Sequence, residues 1–402
     1  LPGLDCDDDL ALLALLAEAA EHPDMFSVAG VSVCGGNAPL AHTWKNTMAL
    51  WKHIDFDAIA SRTDSLHDII GPKRGHGWRS MQVSRWWLSL FHTLAQDMPN
   101  SEDAVDAIVD HVTKTAAENR KTAGDGSDLT LLTLGPPTNV ARAIEKIELH
   151  NHGNSEVTKA IHHVYMMGGE LTGQRLDLNF VSDRAAARTI VDNQHFPKTL
   201  ITIQLCAQVI IDAHFVDNFE RQCCQSSSGN AGKRGAAACA ILPKMRQQIE
   251  LMPRYINPSV SKRLPVSERW TPSSKIMKGF VPWDLVAVLV ITQPELFDHY
   301  EYHRIAFPRC EKGEPCDKTM AVLEHLGTSR EGNKNHSGIV RVPHTVVNET
   351  LVLEKMHNLL CSIPAATDHH PKLMLGFVGQ VFGMALATCL LLLLLCYHRR
   401  RG

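Results

Sequence analysis

Between residues 129 and 205 the chain repeats one local order: a strand-length apolar run, a tight turn, then a helical stretch. Leu129 to Leu134 (LTLLTL) stops at Gly135 and leads into a helical pattern over Asn139 to Ile147. Ile161 to Met167 (IHHVYMM) stops at Gly168-Gly169 and leads to a helical pattern over Ala185 to Asp192, with Thr199 to Leu205 as the next strand. Upstream, Phe26 to Val33 reads as a strand between helical patterns at Ala11 to Ala20 and Thr43 to His53, and Asp103 to Glu118 is helical. Strands separated by helices cannot pair as hairpins, so the expected class is α/β with a mostly parallel sheet. Ligands of such folds gather at the carboxyl ends of the strands. Later, Gln222 to Ala238 reads as a low-complexity loop, Ile241 to Leu251 and Trp283 to Ile291 as helices, and residues 310–343 as polar and turn-rich.

Lys plus Arg is 40 and Asp plus Glu is 43, a net charge of −3, which argues against binding nucleic acid through phosphate neutralisation. The chain's end departs from that average. Residues 373–397 (LMLGFVGQVFGMALATCLLLLLLCY) carry no charge, and HRRRG follows at once. Such a stretch is long enough to cross a hydrocarbon core of about 30 Å as a transmembrane helix. The arginines predict a cytoplasmic C-terminus, with the large N-terminal region extracellular or lumenal. Sequons at Asn335 and Asn348 lean the same way. Cys310 and Cys316 could close a small surface disulfide, while Cys6, Cys34, Cys206 and Cys239 sit in apolar contexts that suit buried thiols. The start, LPGLDCDDDLAL, has neither an initiator Met nor a signal peptide and reads as truncated or processed.

Chemistry-bearing residues concentrate at the predicted strand ends. Asp5, Asp7, Asp8 and Asp9 stand between a glycine and an apolar helix. Carboxylates that close repel unless a cation or a helix N-terminus offsets them, so the cluster is either a solvated cap or a hard-metal site for Ca²⁺ or Mg²⁺. Asn37 follows two glycines after a strand; LGPPTN is a strand-to-helix turn; Asp177 and Asn179 follow MMGG; Asp284 opens a late helix. Together these bring acids and amides to one sheet edge, as a polyol and a metal require.

The run PGLDCDDDLAL, GVSVCGGNAPL, LLTLGPPTNVARAI, MMGG, DLNFVSDRAAA and PWDLVAVL resembles the inosine-uridine-preferring nucleoside hydrolase family over residues 1–297. The resemblance implies a Rossmann-like α/β core, one bound Ca²⁺, and hydrolysis of the N-glycosidic bond of ribonucleosides by a water that the Ca²⁺ binds and acidifies. Carried over by motif, Asp8, the Leu134 carbonyl and Asp284 would hold the metal, with Asp5 as a further carboxylate of the cluster. Asp7, Asn37, Asp177 and Asn179 would hold ribose hydroxyls; Asp177 stands where the family usually has Glu. The family's D-x-D start falls in one register on Leu1, which removes the general base. In a second, gapped register Asp7 is the base. The first keeps Gly3 without a gap and is preferred; on it the sequence is incomplete or the product inactive.

Trp283 occupies a position where pyrimidine-tolerant members commonly have His, which implies a purine-leaning enzyme that stacks its base on an aromatic face and assists its departure. Trp78 is a second stacking candidate. The expected layout is a hydrolase domain at 1–364 with a loop insertion at 222–238, a stalk at 365–372, the membrane helix at 373–397 and a basic tail at 398–402. Family members are commonly dimers or tetramers, so a homo-oligomer is the expected assembly although the chain does not fix one. The rival function is a catalytically dead family member acting as a surface module that binds nucleosides or proteins.

Overall fold

Helix α1 (Asp7–Glu21) is apolar nearly all round, and the structure buries it on nearly every side. The computed structural model describes residues 6–23, 25, 27–36, 40–56, 70–76, 100–121, 129–150, 156–172, 177–225, 236–256, 279–307, 320–328 and 336–363. Leu10, Leu13 and Leu16 of α1 are fully buried. Each such leucine contributes roughly 2 kcal/mol from apolar area removed from water. Glu18, also fully buried, is held by Gln293 Nε2 at 2.9 and 3.1 Å and by Lys355 at 3.4 Å. A buried carboxylate survives when it is paired and hydrogen-bonded in this way.

The remaining elements follow in chain order: β1 (Gly30–Val33), α2 (Leu40–His53), β2 (Ile70–Arg74), α3 (Asp103–Lys121), β3 (Leu129–Thr133), α4 (Thr138–His150) and β4 (Ile161–Met167). Next come α5 (Leu178–Ser182), α6 (Arg184–Asp192), β5 (Lys198–Ile201), α7 (Ile203–Cys206), β6 (Ile211–Asp212) and α8 (Ala213–Phe219). The last are α9 (Ala236–Cys239), α10 (Leu242–Ile256), β7 (Gly279–Phe280), α11 (Trp283–Thr292), β8 (Phe297–Ala306), β9 (Ala321–Gly327), β10 (Ile339–Val346) and α12 (Glu349–Ser362).

The central sheet has the order β3-β4-β5-β10-β8-β9. Its first four strands are parallel, while β8 and β9 join antiparallel. The expected α/β class with a largely parallel sheet holds, and the antiparallel end is the difference. β8 precedes the segment expected to be turn-rich, while that segment itself holds β9 and most of β10. Two strands are also shorter than expected. β5 stops at Ile201 because Thr202 turns the chain, its side chain accepting from Leu205 N to cap α7. β1 begins at Gly30, and Phe26 lies outside the described residues.

β1 and β2 form a separate parallel pair, and one cavity of about 1330 Å³ runs between β1 and β3, lined by both strands along their length. At their carboxyl ends the two pieces meet closely. A Cβ on Gly36 would lie 2.9 Å from Pro136 Cδ, and one on Gly135 would lie 2.9 Å from Cys34 Sγ. Asn139 ties the junction: its Oδ1 accepts from His76 N at 3.0 Å and its Nδ2 donates to Val33 O at 3.4 Å. Gly75 is required beside it, since a Cβ there would meet the Asn139 amide at 2.3 Å.

The thiol expectation needs one correction. Cys239 is not a buried thiol; it pairs with Cys224, fifteen residues away, and Cys223 pairs with Cys361. The low-complexity segment is therefore bracketed by a crosslink between a π-helical turn, Glu220–Cys224, and α9. Cys6 and Cys206 are buried thiols as expected, Cys34 is a thiol but only half-buried, and Cys310 and Cys316 lie outside the described residues. Among the described residues no helix is long and apolar enough to cross a membrane; the stretch 373–397 lies outside them.

Candidate active site

Two helix N-termini converge on the sheet's carboxyl edge. α1 starts with Asp7, Asp8 and Asp9; α11 starts with Trp283 and Asp284. The partial positive charge of a helix N-terminus favours carboxylates at both places. Asp284 N donates to Asp7 Oδ2 at 3.5 Å, and one ligand oxygen from each of Asp7, Asp8 and Asp284 lies within 4.8 Å of the others. Asp7 and Asp284 are buried, whereas Asp8 is exposed. Asp9 points elsewhere, to a 2.7 Å ion pair with Lys244.

The opposite wall comes from the strand ends of β3 and β4. Gly168 and Gly169 take φ of +148° and +88°, a conformation that favours glycine, and turn the chain out of β4. Asp177 then caps α5, its Oδ1 accepting from Phe180 N at 2.8 Å. Asn179 Nδ2 donates to Leu134 O at 2.7 Å and to Met167 O at 3.1 Å, linking the ends of the two strands. Asp7, Asp8, Asp177, Asn179, Trp283 and Asp284 all line the cavity. Cys206 reports their convergence: burial raises its thiol pKa well above the usual value, and the charges of Asp284, Asp7 and Asp177 raise it further. The site is a pocket of clustered acids with an indole at its edge, at the place where α/β folds bind ligands.

The model of the inosine-uridine preferring nucleoside hydrolase family matches residues 2–354. The chain belongs to this family. It is a nucleoside hydrolase, an N-glycosidase by class. A plant nucleoside hydrolase structure matches with TM-score 0.53 and 16% identity, covering 90% of this chain and 96% of its own. A purine-preferring ribonucleoside hydrolase from Gardnerella vaginalis gives TM-score 0.53 and 19% identity, with coverage of 90% and 96%. An inosine-guanosine nucleoside hydrolase gives 0.52 and 15%, with coverage of 89% and 95%. At such identities the structural likeness bears on the fold. No curated protein sequence matches the chain.

Of the residues expected to act in this hydrolase, the structure brings Asp7, Asp8, Leu134, Asp177, Asn179, Trp283 and Asp284 to one cavity. Asp5, Asn37 and Trp78 lie outside the described residues. The donor set of the acid cluster suits a hard divalent cation, because it offers carboxylates of which two are buried side by side. Two supporting residues escaped the sequence reading of roles. Asn139 sits in the quoted LGPPTN turn, yet its role is to brace β1 and β2 against β3. Asp183, in the quoted SDRAAA run, accepts from Ala186 N at 3.0 Å and from Thr138 Oγ1 at 2.8 Å, joining α6 to the start of α4.

Asp177 gives the hydrolase's pocket a pH-sensitive group. Burial pushes its carboxyl up from 3.8 to about 6, against backbone N–H bonds from Phe180, Gly169 and Asn179 that pull it down. Between those two values the folded state holds this proton more firmly than the unfolded chain does. The Asp177 contribution to stability therefore falls as pH rises from about 4 to about 6, then levels off. The shift corresponds to about 3 kcal/mol at 1.36 kcal/mol per unit. Asp177→Asn keeps an oxygen for the α5 cap and cannot ionise. It is expected to melt above the parent at pH 7 and close to it at pH 4, measured by thermal unfolding with a chelator. The same difference at both pH values would contradict this account.

Proposed function

We propose that the chain hydrolyses the N-glycosidic bond of purine ribonucleosides, releasing ribose and free base, with one Ca²⁺ held by Asp7, Asp8 and Asp284. The observation that carries this reading is the trio of carboxylates gathered within 4.8 Å where two helices begin. The Leu134 carbonyl after β3, which accepts from Asn179 Nδ2 and lines the same cavity, would supply a fourth oxygen. A bound Ca²⁺ would supply a grip on the ribose hydroxyls and would acidify the attacking water.

The chain's own residues do the rest. Asp7 is an acceptor for the proton of a hydroxyl or water in the cavity. Asp177 and Asn179, on the wall formed by β3 and β4, hold the far side of the ribose. The ring gains positive charge as the bond to the base breaks, and the surrounding carboxylates stabilise it there. Trp283 lines the same cavity and offers a flat face to a purine. The proposal extends to topology: residues 373–397 span a membrane, and 398–402 face the cytoplasm. Two disulfides in the hydrolase domain support placing it on the oxidising side.

The test is release of base and ribose from inosine, guanosine and uridine by the full chain in membranes, with Ca²⁺ and with chelator. Turnover of inosine and guanosine that the chelator removes is expected. Faster turnover of uridine than of inosine would refute the purine preference. No turnover of any nucleoside would refute the catalytic reading and favour the binding module.

A further inference from the structure

The antiparallel end of the sheet carries a second group of ligating side chains that nucleoside hydrolysis does not use. In the ladder, His303 on β8 stands opposite Val340 on β10 and His325 on β9, and Glu301 stands opposite Val342. Directly opposed residues share a face of a sheet, and so do residues two apart along a strand. Glu301, His303 and His325 therefore lie on one face, and His344, two beyond Val342, lies on it too.

Distances bring these side chains together. His303 Nε2 lies 3.1 Å from His344 Nε2. Glu301 Oε2 lies 3.7 Å from the first nitrogen and 3.4 Å from the second. The rings of His303 and His325 are 4.5 Å apart, and one ligand atom from each of Glu301, His303 and His325 lies within 4.8 Å of the others. Ligands bound at about 2.0–2.1 Å in a tetrahedral zinc site stand about 3.4 Å from one another. The observed triangle of 3.1, 3.4 and 3.7 Å brackets that spacing. His303 is fully buried; its Nε2 meets His344 and Glu301, while its Nδ1 has no hydrogen-bond partner. Half-buried Glu301 and exposed His325 leave the group open to an incoming ion.

The geometry points to a second metal site, in which Glu301, His303, His325 and His344 bind one Zn²⁺ and crosslink β8, β9 and β10. Imidazole nitrogens with one carboxylate suit a borderline transition metal, whereas the all-oxygen cluster at Asp7, Asp8 and Asp284 suits Ca²⁺. The Glu301-x-His303 spacing is readable in the sequence; the partners from β9 and β10 are not, because only the register supplies them.

The test uses the full chain with zinc ion alone, by calorimetric titration against a background of millimolar Ca²⁺. Cobalt substitution checks the geometry through its visible absorption. The parent is expected to take up one Zn²⁺ that Ca²⁺ does not displace, with a tetrahedral cobalt spectrum and a raised melting temperature. His325→Ala and His344→Ala remove partly exposed rings and spare the buried His303. Each is expected to weaken zinc binding by more than about 100-fold, beyond what loss of a group that only hydrogen-bonds a ligand costs. Zinc affinity and cobalt spectrum unchanged in both variants would overturn the proposal, leaving a hydrogen-bonded histidine cluster. So would a parent that takes up no zinc.

Discussion

Asp284→Ala is expected to lower kcat/KM for nucleoside hydrolysis by about 10³-fold, a loss of about 4 kcal/mol in the transition state. Asp284 contributes twice to the site. Its carboxylate completes the trio with Asp7 and Asp8, and its backbone N–H donates to Asp7 Oδ2. Alanine keeps the second contribution and removes the first, so the effect isolates the side chain. A stability signature should accompany it. In chelator the variant has one like charge fewer beside Asp7 and should melt no lower than the parent. Added Ca²⁺ should then raise the parent's melting temperature and leave the variant's unchanged, because a ligand stabilises only a fold that binds it. Activity within tenfold of the parent at saturating Ca²⁺ would remove Asp284 from the reacting centre.

Trp283→Ala carries the next largest effect, and it falls unequally on substrates. Stacking of a base on an aromatic side chain is worth about 1–3 kcal/mol, so the loss on inosine is expected to be roughly 10- to 100-fold in kcat/KM. Uridine, with the smaller ring, should lose less. Trp283 precedes Asp284 at the start of α11, and its backbone carbonyl accepts from Cys206 Sγ at 3.6 Å. The substitution leaves that backbone contact in place, so altered discrimination reads the ring itself. Equal losses on inosine and uridine would mean that Trp283 shapes the pocket without choosing the base.

Much of this architecture could be read from local pattern. The helices at Asp103–Lys121 and Thr138–His150 and the strand at Ile161–Met167 announce themselves because their periodicity belongs to single segments. Asp177, Asn179 and Asp284 were legible as site residues because each sits at a strand-to-helix turn, where an α/β fold exposes polar groups. What stayed hidden depends on partners far away in the chain. Phe297–Ala306 reads FDHYEYHRIA, too polar to suggest a strand, and becomes one by pairing with β10 and β9. Ala321–Gly327 is half-exposed along its length at the sheet edge, so no hydrophobic alternation marks it. The disulfides were unreadable for a related reason, since spacing does not fix connectivity.

The space between β1 and β3 gives the candidate site a further property. One wall of the pocket, at Cys34 and Gly36, extends from the small sheet; the other, at Asp177 and Asn179, extends from the large one. Among the described residues no ladder hydrogen bonds of a continuous sheet run across that interval. A nucleoside seated between the walls is therefore also mortar between two blocks, joining what the Asn139 side chain helps to brace at that edge. Affinity for substrate and the docking of the β1–β2 pair then draw on one free energy. Any change that loosens the small sheet would surface first as a weakened KM, well before the protein unfolds.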